Sequence, residues 1–169
     1  MSTILRNKEY ALYSKGSAAQ FKLRKLVDKI DENKSEENYW LFVEAANVLP
    51  GQRKFDWENK CNIRLGLADL GIFLNGFRTG FKGDKKCEIF HDPGKGSATE
   101  GFETKAMAIQ PGASYGYQLV FRYNKKADAK GPEKKVNVAV PVSDEQMVIL
   151  KILLERSVVM LAGFYDGVM

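Results

Sequence analysis

The sequence predicts an α+β protein of two antiparallel four-stranded sheets, each followed by a helix. Apolar and polar residues alternate with period two in eight segments, which is typical of strands with one buried face. Turn-forming residues such as Pro50-Gly51 and Pro111-Gly112 separate the segments. Two further segments have helical spacing. A chain of 169 residues is long enough to bury one core, so we expect a single domain at 9–164, an N-terminal arm at 1–8 and a C-terminal tail at 165–169.

The first four strands are expected before residue 66. The alternation places them at residues 10–15, 17–27, 39–48 and 55–65. The last of these is the clearest, because Phe55, Trp57, Cys61, Ile63 and Leu65 alternate with charged and amide residues. One face of this sheet is therefore expected in the core and the other in water.

The second sheet follows the same logic. Its strands are expected at residues 86–91, 103–110, 117–125 and 135–142. In the third of them, alternate aromatic and apolar residues indicate a core face, while Gln118, Arg122 and Asn124 form a polar outer row. The lysines near the following loop are interpreted as a solubilising charge run.

Two helices are expected, at 67–77 and after residue 143. Glycines weaken the first, so packing must stabilise it. The second has a clear start, because Ser143 is an N-cap and Gln146 completes a capping box, and Gly163 can end it.

The second helix is apolar over most of its circumference. Only Lys151, Glu155 and Arg156 form a polar seam between residues 147 and 161. One sheet covers only one face of a helix, so we infer an oligomer in which Leu150 and Leu154 face a neighbouring subunit.

The composition favours no membrane or secreted class. The net charge of +5 is a mild attraction for polyanions. Cys61 and Cys87 are too few for a disulfide scaffold and are expected as reduced, partly buried thiols. The N-terminal residues lack a targeting pattern and the apolar run near the C-terminus contains charges. We therefore expect a cytoplasmic protein with no membrane contact.

Catalysis has little support in the sequence. His91 is the only histidine, and it is interpreted either as a catalytic pair with Asp92 or as a hydrogen-bonded residue at a strand end. The segment Gly94-Lys95-Gly96-Ser97 lacks the full phosphate-loop pattern. We expect no enzyme activity, no cofactor and no metal.

Binding of a nucleic acid has more support, because cations and aromatic residues are interleaved. Gln20, Lys22 and Arg24 share one face of the second strand, and Trp40 and Phe42 share one face of the third. Exposed rings stack on bases and cations contact phosphates. The alternative that these rings contact a helix or a neighbouring subunit remains open.

Four segments, in order over about residues 13–164, resemble motifs of the Whirly family, single-stranded DNA-binding proteins best known from plant organelles. Residues 15–19 resemble Lys-Gly-Lys-Ala-Ala-Leu, although Ser17 and Gln20 replace its second lysine and its leucine. Residues 53–60 resemble Arg-x-Tyr-Asp-Trp-x-x-Lys, and residues 87–101 resemble a segment that contains Cys-Glu-Phe-Phe-His-Asp-Pro. Residues 140–143 and 161–164 are similar to the family's ending.

The resemblance implies four protomers packed through their helices, with single-stranded DNA along the sheets and between adjacent protomers. The motifs carry over eight candidate contacts: Lys15, Ser17, Gln20, Phe55, Trp57, Lys60, Phe90 and His91. The interleaved pattern adds four more: Tyr13, Lys22, Trp40 and Phe42.

The expected function is sequence-nonspecific single-stranded DNA binding in replication, recombination or repair. The first alternative is an RNA-binding and annealing protein, because kinetoplastid guide-RNA-binding proteins share this architecture. The second is a DNA-binding transcriptional regulator. The absence of a transit peptide favours a prokaryotic or viral origin.

Overall fold

The computed structural model describes residues 8–31, 34–81, 87–113, 116–128 and 131–163, which form two four-stranded antiparallel sheets and two α-helices. Sheet 1 contains β1 (Lys8–Tyr13), β2 (Ser17–Asp31), β3 (Lys34–Asn47) and β4 (Cys61–Leu65), and it is followed by α1 (Leu67–Thr79). Sheet 2 contains β5 (Cys87–His91), β6 (Glu103–Pro111), β7 (Tyr117–Lys125) and β8 (Lys134–Val142), and it is followed by α2 (Asp144–Leu161). The predicted fold class is confirmed. The proposed arm, apart from Lys8, and the proposed tail lie outside the described residues.

The core lies between the inner faces of both sheets and the two helices. In β4, for example, Cys61, Ile63 and Leu65 are buried and the residues between them are exposed, as the alternation predicts. Helix α1 packs against α2 and β5, and α2 packs against β3, so each helix covers the sheet that it does not follow. The outer faces of both sheets are left on the surface of the subunit.

The β2–β3 hairpin is longer than predicted. The predicted strands stop at 27 and resume at 39, whereas the observed pairing runs to Asp31 opposite Lys34. Residues 28–38 are mostly charged or polar, so the hydrophobic alternation ends before the hydrogen-bonded ladder does. Backbone hydrogen bonds therefore extend both strands beyond the residues whose side-chain pattern predicts a strand.

The predicted start of β4 at residue 55 is wrong. Trp57–Asn59 form a short 3₁₀ helix, and the strand begins at Cys61. The Asp56 carboxylate accepts hydrogen bonds from the backbone N and from Nδ2 of Asn59, at 3.2 and 2.9 Å. This local side-chain cap competes successfully with an extended conformation.

Helix α2 begins as predicted. The Ser143 backbone N–H donates to Gln146 Oε1 at 2.9 Å, and the Gln146 N–H donates to Ser143 Oγ at 3.3 Å, which completes the capping box. Gly163 follows the helix with a φ of +77°, the left-handed conformation that glycine adopts readily.

The predicted orientation of α2 requires a correction. Leu150 and Leu154 are fully buried in their own subunit, because they lie on the stripe that packs against the core. Three other apolar residues are exposed and form what we call the α2 stripe: Val148 at 60%, Ile149 at 49% and Ile152 at 54%. The helix therefore has a second apolar face, as predicted, but different residues form it.

The remaining structural expectations concern the cysteines and the membrane. Cys61 and Cys87 are free and buried, and burial raises the pKa of each thiol to about 11, which keeps them protonated near neutral pH.

Among the described helices, none is long and apolar enough to cross a bilayer. Within the described residues, no cluster of three or more His, Cys, Asp or Glu side chains is placed to hold a metal ion.

Replacing Gly76 in α1 by alanine is expected to destabilise the protein. A Cβ there would lie 2.5 Å from Phe81 Cε1 and 2.7 Å from Cys87 Sγ, and both side chains are buried. Overpacking of this kind costs about 1–3 kcal/mol. Gly71→Ala is the matched control, because its Cβ would meet nothing within 4 Å and alanine favours the helix by about 1 kcal/mol. Thermal melting is expected to show a lower Tm for the first variant and an equal or higher Tm for the second, and equal shifts would contradict the packing of α1.

Candidate nucleic-acid interface

The outer face of sheet 1 collects cations and aromatic rings from three strands. The register places Lys22 opposite Phe42 and Phe42 opposite Arg64, so these three side chains form one row across the face. Adjacent rows add the remaining residues of this surface: Gln20, Arg24, Trp40, Glu44 and Asn62. We call the eight residues the sheet 1 outer face. The rings of Trp40 and Phe42 are half-buried here and face away from the core.

Trp40 has a cation above its ring. The guanidinium carbon of Arg64 lies 4.1 Å from the ring centroid, which is within the range of a cation–π interaction. The contact orients the indole and adds a planar, delocalised cation to the same surface. Arginine and indole together form a flat surface of the kind on which bases stack.

A row of three rings continues the surface at the end of sheet 1. The centroids of Tyr13 and Phe55 are 5.7 Å apart, and those of Phe55 and Trp57 are 6.1 Å apart. Tyr13 is 58% exposed. The 3₁₀ helix positions Trp57 beside Phe55, so the turn that shortens β4 also builds this row. The row provides apolar contact area beside the sheet 1 outer face.

Two lysines of this surface share one carboxylate. Lys22 Nζ lies 2.6 Å from Glu44 Oε2, and Lys60 Nζ lies 2.7 Å from Glu44 Oε1. Partial burial alone would raise the pKa of Glu44, but the hydrogen bonds and charges of the two lysines outweigh it and hold the pKa below its ordinary value. Glu44 is therefore ionised at neutral pH and holds both ammonium groups.

The outer face of sheet 2 carries a second, smaller group. Phe90 is 65% exposed, and Arg122 forms an ion pair with Glu88 across β6. Thr104, Ala106 and Asn124 complete a cleft of about 250 Å³ around these three residues. Phe90 thus lies on a different surface from Trp40 and Phe42.

Three residues predicted to contact DNA are not part of either outer face: Ser17, His91 and Lys15. Ser17 is buried, and its hydroxyl donates to the Ala139 carbonyl at 2.6 Å, which joins β2 to β8. His91 Nε2 lies 3.1 Å from both carboxylate oxygens of Asp69 in the first turn of α1. Lys15 is exposed in the β1–β2 turn.

The geometry supports the interpretation of His91 as a hydrogen-bonded residue at a strand end. Its partner is Asp69, because the Asp92 carboxylate instead accepts from the backbone N–H groups of Gly94 and Gly101, at 3.0 and 2.7 Å. Asp92 therefore stabilises its own loop through backbone hydrogen bonds and is not paired with the imidazole of His91. The proposed catalytic pair does not form.

Several residues of the two outer faces were not among the twelve contacts predicted from the sequence. Arg64 and Asn62 lie on the polar side of the alternating β4 segment, so their exposure was predictable but their neighbours were not. Glu88 and Arg122 lie on different strands of sheet 2, and only the register shows that they meet. Cross-strand register is the information that the periodicity lacks.

Comparison with protein families decides the relationship of this chain. A family model described as "Whirly transcription factor" matches residues 15–153, which is most of the chain. The chain belongs to the Whirly family. The resemblance inferred from the four sequence motifs is thereby confirmed.

Two curated Whirly relatives are plant proteins. The single-stranded DNA-binding protein WHY1, chloroplastic, of Solanum tuberosum is 34% identical over 70 residues, which are 41% of this chain and 22% of the relative. The protein of the same name from Arabidopsis thaliana is 31% identical over 78 residues, which are 46% of this chain and 27% of the relative. The aligned segments thus span about a quarter of each relative's length.

Solved structures of other proteins share the fold. The structure of the plant transcriptional regulator PBF-2 has a TM-score of 0.74 at 21% identity, and the match covers 96% of this chain and 86% of the PBF-2 chain. WHY3 from Arabidopsis thaliana has a TM-score of 0.71 at 20% identity, covering 93% and 89%. The Trypanosoma MRP1/MRP2 structure is more distant, with a TM-score of 0.54 at 14% identity, covering 96% and 99%. At these identities the comparison establishes the fold.

The predicted localisation is wrong. The sequence favours a cytoplasmic protein of a prokaryote or of a virally infected cell, whereas both curated Whirly relatives are chloroplastic proteins of plants. The two reduced thiols used for that prediction do not distinguish cytoplasm from the interior of an organelle.

Replacing Ser17 by alanine is expected to lower stability and leave DNA affinity unchanged. The variant loses the hydroxyl that donates to Ala139 O, and removing a buried hydrogen bond costs about 1–3 kcal/mol. Thermal melting measures the first effect and an oligonucleotide titration the second. A tenfold loss of affinity with an unchanged Tm would instead support the predicted DNA contact at Ser17.

Proposed function

We propose that this Whirly-family chain is a non-enzymatic protein that binds single-stranded DNA with little sequence preference in replication, recombination or repair. The observation that carries the proposal is the presence of Trp40, Phe42 and Arg64 on one face of sheet 1, beside the row of rings formed by Tyr13, Phe55 and Trp57. The names of the curated relatives, single-stranded DNA-binding proteins, support it.

Base stacking is the proposed source of affinity. Unpaired bases expose their π-faces, and each base stacked on an aromatic ring contributes about 1–3 kcal/mol whatever its identity. The bases of a duplex are already stacked on each other and are not accessible to Trp40 or Phe42. This mode therefore favours single strands and is weakly selective for sequence.

The proposed assembly is a homotetramer packed through its helices. The α2 stripe supports an oligomer, because three large apolar side chains exposed within two turns of one helix are unfavourable in water. A symmetric assembly buries the same stripe of every copy. It also repeats the sheet 1 outer face, so that one strand contacts several subunits.

The function is tested by titrating one mixed-sequence thirty-mer in three forms: single-stranded DNA, duplex DNA and single-stranded RNA. We expect the single-stranded DNA to bind at nanomolar to micromolar concentrations, with a modest salt dependence because bases supply most of the contact. Equal affinity for duplex and single strand would contradict the proposal. Tighter binding of the RNA would favour the RNA-binding alternative.

A transcriptional regulator is the second candidate. The description of the matching family, "Whirly transcription factor", favours it, as does the likeness to the plant transcriptional regulator PBF-2. A regulator that acts through partner proteins retains them when its DNA is removed. A pull-down from nuclease-treated extract that still retains transcription proteins would support this candidate, and loss of all partners would favour the first.

A further inference from the structure

Glu44 is an acidic side chain in the middle of a surface proposed to bind a polyanion. The register places it between Gln20 of β2 and Asn62 of β4, two residues along β3 from Phe42 and in the next row on the same face. Its side chain is 15% exposed, so it is enclosed by its neighbours and does not extend freely into solvent. A carboxylate at this place repels phosphate, so its presence in such a surface requires an explanation.

The carboxylate of Glu44 holds the lysines that would otherwise contact phosphate. Its two oxygens accept from Lys22 and Lys60 at 2.6 and 2.7 Å, and the lysine side chains are only 17% and 34% exposed. Arg64 is also engaged, by the ring of Trp40. Each lysine must leave a short, partly buried ion pair before it neutralises a phosphate, so its gain on contact with DNA is small.

This arrangement affects duplex and single strands differently. A duplex approaching the sheet offers its phosphates, and its affinity depends on the cations that are free to neutralise them. A single strand also offers bases to Trp40 and Phe42, and that contribution does not require the lysines. Holding two cations away from phosphate therefore weakens duplex binding more than single-strand binding.

We propose that Glu44 sets the preference of the sheet 1 outer face for unpaired strands by withholding Lys22 and Lys60 from phosphate. The inference rests on the proposed function of this face. Glu44 acts through the two lysines and is a positioning residue. Its role is tested by variants that change its charge but keep its shape.

Glu44→Gln is the informative variant, because the amide has nearly the same volume but no charge to hold the ammonium groups. Glu44→Asp keeps the charge. Glu133→Gln is the matched control: Glu133 pairs with Lys135 at 2.9 Å, but both side chains are about 60% exposed, so this lysine is already available to solvent. Single-stranded and duplex thirty-mers are titrated at 50 and 200 mM salt, and thermal melting confirms that each variant is folded.

We expect Glu44→Gln to bind duplex about 10-fold more tightly at 50 mM salt and to bind single strands less than about 3-fold more tightly. Two freed lysines steepen the slope of log affinity against log salt for duplex by up to about 1.8. Adding Lys60→Gln to this variant is expected to remove about half of that increase. Glu44→Asp and Glu133→Gln are expected to behave like the wild type.

The proposal is overturned if folded Glu44→Gln matches Glu133→Gln in duplex affinity and salt slope, or if it mainly loses affinity for single strands. Failure of the proposed function has a different signature, since the wild type itself would then show no preference for single strands. In that case the comparison of the two glutamine variants on duplex still decides whether Glu44 withholds the lysines.

Discussion

Replacing Trp40 by alanine is expected to weaken binding of single-stranded DNA about 5- to 140-fold and to leave the fold intact. The loss corresponds to one stacked base, about 1–3 kcal/mol, and the variant also loses the ring that orients Arg64. The cost in stability is expected to be well below the 3–5 kcal/mol of a core aromatic, because Trp40 lies on the outer face of the sheet. Oligonucleotide titration and thermal melting measure the two effects.

Phe21→Ala is the control for this prediction. Phe21 lies on the inner face of the same sheet and is fully buried, so its truncation is expected to reduce stability strongly. For as long as this variant stays folded, its affinity is expected to remain close to that of the wild type. A Trp40→Ala protein with a greatly lowered Tm and unchanged affinity would mean that this ring is a packing residue.

Replacing Ile152 by glutamate is expected to convert the proposed tetramer into single subunits. Ile152 is 54% exposed in the lone subunit and belongs to the α2 stripe. A carboxylate in an apolar subunit interface has no partner and costs several kcal/mol in each copy. Light scattering is expected to give a mass near 19.0 kDa for the variant and about four times that mass for the wild type.

Lys151→Glu is the matched control for assembly. It introduces the same side chain one residue earlier, at a position that is already charged and exposed, where Lys151 pairs with Glu155 at 3.3 Å. This variant is expected to keep the mass of the wild type. An Ile152→Glu protein that also keeps that mass would show that the α2 stripe is not the subunit interface.

Much of the fold was predictable because its signals are local. The alternation of β4 and the capping box at Ser143 each involve a few neighbouring residues, and both are observed. The errors occur where a local signal is absent or is overruled. The β2–β3 hairpin continues through charged residues, and the Asp56 cap replaces the first residues of a predicted strand.

The candidate site was predictable in its residue types and not in its contacts. Periodicity assigns Trp40 and Phe42 to one face, but only the three-dimensional structure shows that Arg64 contacts Trp40 and that Lys60 pairs with Glu44. Leu150 and Leu154 show the same limit, because an all-round apolar helix does not reveal which stripe faces its own core. Contacts between residues distant in sequence depend on packing that the one-dimensional pattern does not specify.

The most direct test uses the emission of the protein's own tryptophans. The chain has two, Trp40 and Trp57, and both lie in the proposed interface. In a Trp57→Phe variant, Trp40 is the sole reporter of the sheet 1 outer face. Saturation with a single-stranded thirty-mer is expected to quench its emission strongly through stacking, while the matched duplex leaves it nearly unchanged. Unchanged emission at an oligonucleotide concentration where anisotropy shows full binding would contradict stacking on this face.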